Sequence, residues 1–434
     1  TGTLLHFTLP MMVGSFLQQC YNIADTLIVG QCIGAGALAA VGSAYTLMVF
    51  LISVLLGLAM GSGTVFSLHY GAGNHVALRR SIFSSFVLIG IVTLILNVAV
   101  FIWLDPILRL LQVPQDIYGM MRSYLWIIFC GIVFTFIYNF YASLLRAVGD
   151  SVTPLWFLAV SVVLNIALDL FFILQLDWGI QGAAAATVLA QGVAALGIII
   201  YTYRRRPELR WHHEDMCFDR TCLKEIASFS TLTCIQQSVM NLGILMVQGL
   251  VNSFGESVMA SFAAAVKIDT IAYMPAQEFG NAYSLFVSQN YGAKKQERIR
   301  TGTRISFAAS ILFCAVLSVV ICIFAGDFMR LFIDAGETQI IAGGIRYLRI
   351  EGAMYVGIGI LFLWYGYFRG INQPHISLIL TVISLGTRVA VAYAFAPHPA
   401  FGVDAIWCAI PIGWFLADAA GCLFYRKTTS MIEK

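Results

Sequence analysis

Of 434 residues, 59% are hydrophobic and only 11% are charged, and the mean hydropathy is +0.84. A water-soluble chain carries about 25% charged residues, so these charges cannot cover a water-facing surface, and lipid must solvate most of the molecule. The net charge of +3 is small and offers no clustered basic face for nucleic acid.

Crossing the hydrocarbon core takes about 20 mostly apolar residues. In chain order, such runs are read at 4–30, 37–68, 81–104, 122–145, 153–174, 180–203, 225–252, 258–289, 303–325, 347–368, 374–396 and 402–425. Lipid satisfies no free backbone group, and the strict alternation of barrel strands is absent, so helices are predicted throughout. The fold class is therefore an all-α integral membrane protein with twelve transmembrane helices. No cleavable signal is read at the N-terminus. Cys20, Cys130, Cys234, Cys314, Cys322, Cys408 and Cys422 lie inside apolar runs, where a free thiol packs as a small hydrophobe.

Lys and Arg set the expected orientation. One set of loops, with the tail, holds eighteen of them, including Arg204, Arg205, Arg206, Lys294, Lys295 and Lys434; the opposite loops hold Arg109, Arg122, Arg330 and Arg346. Both termini are expected on the cytoplasmic side.

The longest polar stretch divides the chain into an N-terminal lobe (1–203), a cytoplasmic loop (204–224) and a C-terminal lobe (225–434). The halves echo one another. Gln18-Gln19 returns as Gln236-Gln237, Tyr70-Gly71-Ala72 as Tyr291-Gly292-Ala293, and Leu145-Arg146 as Phe368-Arg369. Six helices per half make these parallel repeats, pseudo-symmetric about the membrane normal. A duplicated bundle without an extramembrane domain suits transport better than catalysis, and the spans hold no histidine cluster for an enzyme centre.

Polar groups inside spans are costly, about 2.5–3.5 kcal/mol for an Asp at a helix centre. Gln18, Asn22 and Asp25 form one stripe of the first span at i, i+4, i+7. Asn165 and Asp169 share a face of the fifth, and Thr187 and Gln191 share a face of the sixth. Together they can line a pocket of oxygen ligands for a proton or a small hard cation such as Na⁺. The plainer reading is that they are hydrogen-bonding glue between helices, but two carboxylates in one lobe favour function. Lys267, Glu278, Arg388 and Asp418 are read as structural pairs, and Lys267 and Asp269 as residues on different faces. His212-His213-Glu214-Asp215-Met216-Cys217 with Cys222 lacks paired CxxC spacing and reads as a solvated linker rather than a zinc site. Pro10 removes a backbone hydrogen bond from the first span and can act as a hinge, or lie too near the helix start to matter.

Tyr21-Asn22-Ile23-Ala24-Asp25-Thr26-Leu27-Ile28-Val29-Gly30 with Ala39-Ala40-Val41-Gly42 resembles the first-helix signature of the multidrug and toxic compound extrusion (MATE) family. Ser288-Gln289-Asn290-Tyr291-Gly292-Ala293 resembles its eighth-helix ending, and Leu145-Arg146-Ala147-Val148-Gly149-Asp150 with Thr153-Pro154 its four–five loop. The resemblance spans Pro10 to about Tyr425. It implies a cation-coupled antiporter of the bacterial inner membrane, without cofactor, exporting organic cations and drugs through a cavity between lobes in exchange for H⁺ or Na⁺. A monomer is expected. Asp25, Asn165, Asp169 and Thr187 match the cation site of the DinF-like branch, and Pro10 matches the proline where that branch's first helix bends. The NorM-like branch adds carboxylates on the seventh and tenth helices. Here Ser228–Gly255 has no acidic residue and the tenth span has only Glu351 at its edge, which favours coupling through the first lobe. The alternative within the superfamily is a flippase for lipid-linked or polysaccharide precursors.

Overall fold

The computed structural model describes residues 2–110 and 113–432; Thr1 of the first lobe and Lys434 of the basic tail lie outside them. The described chain is helical: α1 (Gly2–Cys32), α2 (Ala35–Gly71), α3 (His75–Leu110), α4 (Gln115–Cys130), α5 (Ile132–Ala147), α6 (Val152–Leu170), α7 (Gly179–Arg205), α8 (Arg220–Asn252), α9 (Glu256–Gly292), α10 (Gln296–Phe332), α11 (Thr338–Gly352), α12 (Tyr355–Gly370), α13 (Pro374–Phe395) and α14 (Val403–Ile432). Among the described residues, nine helices are long and apolar enough to cross a membrane. The count reaches eleven if the bent pairs α4–α5 and α11–α12 are one span each. Twelve spans were expected. α1 accounts for the difference, because Gln18, Gln19, Asn22 and Asp25 make it too polar to qualify on hydropathy.

Two expected spans are broken helices. The run 122–145 bends by 46° between α4 and α5, around Gly131, and 347–368 bends by 52° between α11 and α12. The breaks occupy matching places in the two repeats.

The chain forms two compact units, His6–Cys234 and Ile235–Lys434 with Thr1–Leu5. The division falls inside α8, so residues 204–224 and the start of α8 pack with the first unit. There Ser230 shares a 2.8 Å hydrogen bond with Ser62 of α2. Gly61 makes this approach possible: a Cβ on it would stand 2.5 Å from the Phe229 carbonyl oxygen.

Most of residues 212–217 are exposed, as expected of a solvated linker, but the segment 204–224 is anchored to the first unit at Leu209, Trp211 and Asp215. Asp215 is buried and accepts a 2.8 Å bond from Arg79 Nε at the start of α3. The Trp211 ring packs against Phe83, Phe86 and Tyr203, and Leu209 is buried. Burial alone would push the Asp215 carboxyl up. The His212 backbone N–H and the Arg79 guanidinium outweigh it and hold the carboxyl below its usual range.

Candidate functional site

The first unit brings three helices together around two buried carboxyl groups. Asn165 and Asp169 lie one turn apart on α6 and both face inward. Immediately beyond Asp169 the helix widens into a π turn, Phe171–Gln175, a feature that recurs at functional sites. The chain then reverses through Asp177 and Gly179, both at positive φ, into α7. The return is tight because Gly182 lies against the π turn, where a Cβ would sit 3.0 Å from Phe172 Cβ. This hairpin returns Thr187 to the level of Asn165, while α1 supplies Asp25 and Tyr21.

The Asn165 amide satisfies both of its ends in one orientation. Its nitrogen donates to Asp169 Oδ2 at 2.8 Å, and its oxygen accepts from the Tyr21 hydroxyl at 3.3 Å and the Thr187 N–H at 3.2 Å, with the Thr187 hydroxyl 3.1 Å away. Tyr21 OH and Thr187 Oγ1 are themselves 3.2 Å apart. Asp169 is fully buried and Asp25 is 8% exposed. The two carboxyls lie within hydrogen-bonding reach of each other, yet Oδ1 of each is buried without a partner.

Two carboxylates cannot share such a contact without a proton or a cation between them. The orphaned oxygens point the same way: every unsatisfied atom is an acceptor, and the surrounding atoms are mainly hydroxyl and amide oxygens. That donor set fits H⁺ or a hard monovalent cation. The structure therefore brings Asp25, Asn165, Asp169 and Thr187 into one cluster.

It does not bring the rest of the polar stripe there. Gln18 is exposed, Asn22 is half-buried, and Gln191 accepts a 2.7 Å bond from Thr135 of α5 instead. Thr187 and Gln191 also line a shallow cleft with Met48, Leu51, Ile128 and Phe129, so Thr187 touches both the cleft and the carboxyl cluster. α1 remains helical through Pro10. Tyr21 escaped the sequence reading, although its i, i+4 spacing to Asp25 was available as a signal; Tyr124 of α4, buried and electrostatically close to both acids, left no such signal.

The second unit holds a cluster the sequence did not reveal. Asp269 of α9, read as lying on a different face from Lys267, is 3% exposed and accepts bonds from the Tyr355 and Tyr347 hydroxyls. Glu351, read at the edge of a span, is equally buried and within hydrogen-bonding reach of Asp269.

A helical membrane bundle with an intramembrane carboxyl pair defines a transporter more readily than any enzyme, and the comparisons agree. The MatE family model matches residues 10–171 and 232–394, one match in each half. The chain belongs to the MatE family: it is a multi-pass membrane transporter of the MATE type and not an enzyme. MATE transporters are cation-coupled. It is 31% identical to "Probable multidrug resistance protein YpnP" of Bacillus subtilis, over 98% of this chain and 94% of that protein. It is 27% identical to "Probable multidrug resistance protein YoeA" of the same organism, over 93% and 89%. A solved outward-facing MATE family transporter shares the fold, with a TM-score of 0.93 at 24% identity over 100% of this chain and 96% of that one.

Proposed function

We propose that this transporter expels drug-like organic cations and other amphipathic compounds in exchange for H⁺ or Na⁺, with coupling at Asp25, Asn165, Asp169 and Thr187, as in the DinF-like branch. The observation that carries this reading is the meeting of two buried carboxyls with one orphaned oxygen each. The substrate class is supported by relatives named as multidrug resistance proteins. Both termini on the cytoplasmic side are supported by the eighteen-to-four distribution of basic residues, and a bacterial inner membrane by the Bacillus subtilis relatives. We read the working unit as a monomer of two lobes, 1–203 and 225–434, joined by 204–224.

Antiport requires that ion and drug favour different states. Loading the carboxyl pair with a proton, or exchanging Na⁺ for protons, changes the charge that α1 presents to α6 and α7. Pro10 lies about 22 Å along α1 from Asp25, so a bend there moves the helix that carries one of the two acids. Thr187 touches both the acid cluster and the adjoining cleft, which gives ion loading a direct path to the space beside it. Dye efflux from vesicles, driven by an imposed pH gradient in one experiment and an imposed Na⁺ gradient in another, tests the proposal. Efflux is expected under at least one gradient, and its absence under both defeats the reading.

A further inference from the structure

The two carboxyl pairs of this protein differ in what surrounds them. Around Asp25 and Asp169 the named neighbours are hydroxyls and an amide. Around Asp269 and Glu351 there is also a guanidinium: Arg388 of α13 acts electrostatically on both acids. Asp169 follows Pro154 of α6 by 15 residues, and Arg388 follows Pro374 of α13 by 14. The second repeat thus carries a fixed positive charge about where the first carries an acid. We infer that the Asp269–Glu351 pair is a proton site from which Arg388 excludes metal cations.

Geometry supports this assignment. Asp269 accepts from the Tyr355 hydroxyl and, at 3.5 Å, from the Tyr347 hydroxyl, and Tyr347 also lies within hydrogen-bonding reach of Glu351. Glu351 keeps one oxygen, Oε2, buried without a partner, and Arg388 Nε is buried without one as well. Among the described residues Arg388 makes no direct ion pair, and its charge acts on both acids without a salt bridge. With both acids ionised the three groups sum to one negative charge, and a single proton neutralises them. That proton fits inside the existing Asp269–Glu351 contact. A metal ion would need a shell of several oxygens and would have to enter it beside a permanent cation.

The break in the span adds a reason for the site to lie here. Glu351 is the penultimate residue of α11, next to the 52° bend, and Tyr355 opens α12. The C-terminal end of α11 carries partial negative charge, which favours a protonated acid over a second anion. The titratable and charged groups facing the pair are Tyr273 from α9, Tyr347 from α11, Tyr355 from α12 and Arg388 from α13. Asp418 of α14 acts on Tyr365 and Cys422, and residues 235–252 of α8 contain no ionisable side chain.

The test uses the full chain in lipid nanodiscs, with Asp25→Asn and Asp169→Asn removing the first pair, and radiolabelled Na⁺ as probe. The background is expected to bind no Na⁺, addition of Arg388→Met to create a single saturable Na⁺ site, and addition of Arg388→Lys to create none. Independently of any Arg388 variant, infrared spectra of the otherwise native chain should show a protonated-carboxyl band that Glu351→Gln or Asp269→Asn removes. Na⁺ binding in the background that disappears on adding Glu351→Gln overturns the inference. So does a folded Arg388→Met variant that gains no Na⁺ site, or an infrared spectrum in which neither acid contributes a protonated band.

Discussion

Asp25 of α1 and Asp169 of α6 lie 144 positions apart in sequence and meet in the interior of the first unit, each with one carboxyl oxygen in hydrogen-bonding reach of the other group and one oxygen without a partner. Such a contact exists only while something positive lies within it. On the proposed reading, the ion that leaves during the cycle is then also part of the packing between α1 and α6.

The amide replacements Asp25→Asn and Asp169→Asn keep the shape of each side chain and remove its charge. Each is expected to reduce gradient-driven efflux to background while the protein still inserts and folds. Drug-induced release of protons or Na⁺ from purified protein should vanish in the double variant. Release that persists undiminished there places the coupling acid elsewhere, with the Asp269–Glu351 pair the first candidate and Glu278 and Asp418 the next.

Asn165 and Tyr21 should contribute unequally. Asn165→Ala removes the donor to Asp169 Oδ2, and losing a hydrogen bond to a charged group costs about 1.5–3 kcal/mol. The ion concentration giving half-maximal release should shift by roughly 10- to 100-fold. Tyr21→Phe removes a bond between neutral groups, for which about 0.5–1.5 kcal/mol is expected. Titration of ion release in the two variants checks the order, and a larger effect at Tyr21 would contradict the geometry.

Orientation has a direct test. His213 and Glu214 are exposed in the segment that supplies much of the basic asymmetry. A single cysteine at either position, in a cysteine-free background, should resist impermeant thiol reagents added outside intact cells and react once the membrane is opened. Ready labelling from outside would reverse the assigned topology.

The docked segment 204–224 should depend on Asp215. The folded carboxyl is held below its unfolded value of about 3.9. Its contribution is therefore complete above that pH and is lost as pH falls through the lower folded value. At neutral pH, Asp215→Asn should weaken docking by about 1–3 kcal/mol. Backbone hydrogen exchange in residues 207–217 should then speed up on the order of tenfold or more, and the gap from the parent should narrow in strong acid. Unchanged exchange at neutral pH would mean that the Trp211 contacts alone hold the segment.

The sequence made the first carboxyl cluster legible because charges stand out in apolar runs. Asp25 and Asp169 cost too much in lipid to be incidental, and the i, i+4 spacing oriented Asn165 toward Asp169. Gln18, Asn22 and Gln191 obey the same spacing and face elsewhere, since periodicity fixes a helix face and not its neighbour. Tyr21 was hidden because an aromatic ring in an apolar helix reads as packing. The Asp269–Glu351–Arg388 cluster was illegible for a different reason. Its members come from three distant helices, and Glu351 is buried by a bend between α11 and α12 that no proline marks. Residues 212–217 were read as a solvated linker from their polarity, and most of them are exposed; polarity did not reveal that Arg79 supplies the partner that lets Asp215 be buried.

The π turn at Phe171–Gln175 has a bearing on how relatives of this chain are compared. A widened turn carries one residue more than the α-helical count, and here the chain reverses directly after it, through Asp177 and Gly179. The extra residue therefore sets where α6 ends and where the return toward α7 begins. Deleting Ile173 is expected to restore regular winding at the end of α6 and to strain this reversal, with every acid, amide and hydroxyl of the cluster still in the chain. The site is written in spacing as well as in identity, and a comparison that scored only the four polar positions would pass such a deletion as silent.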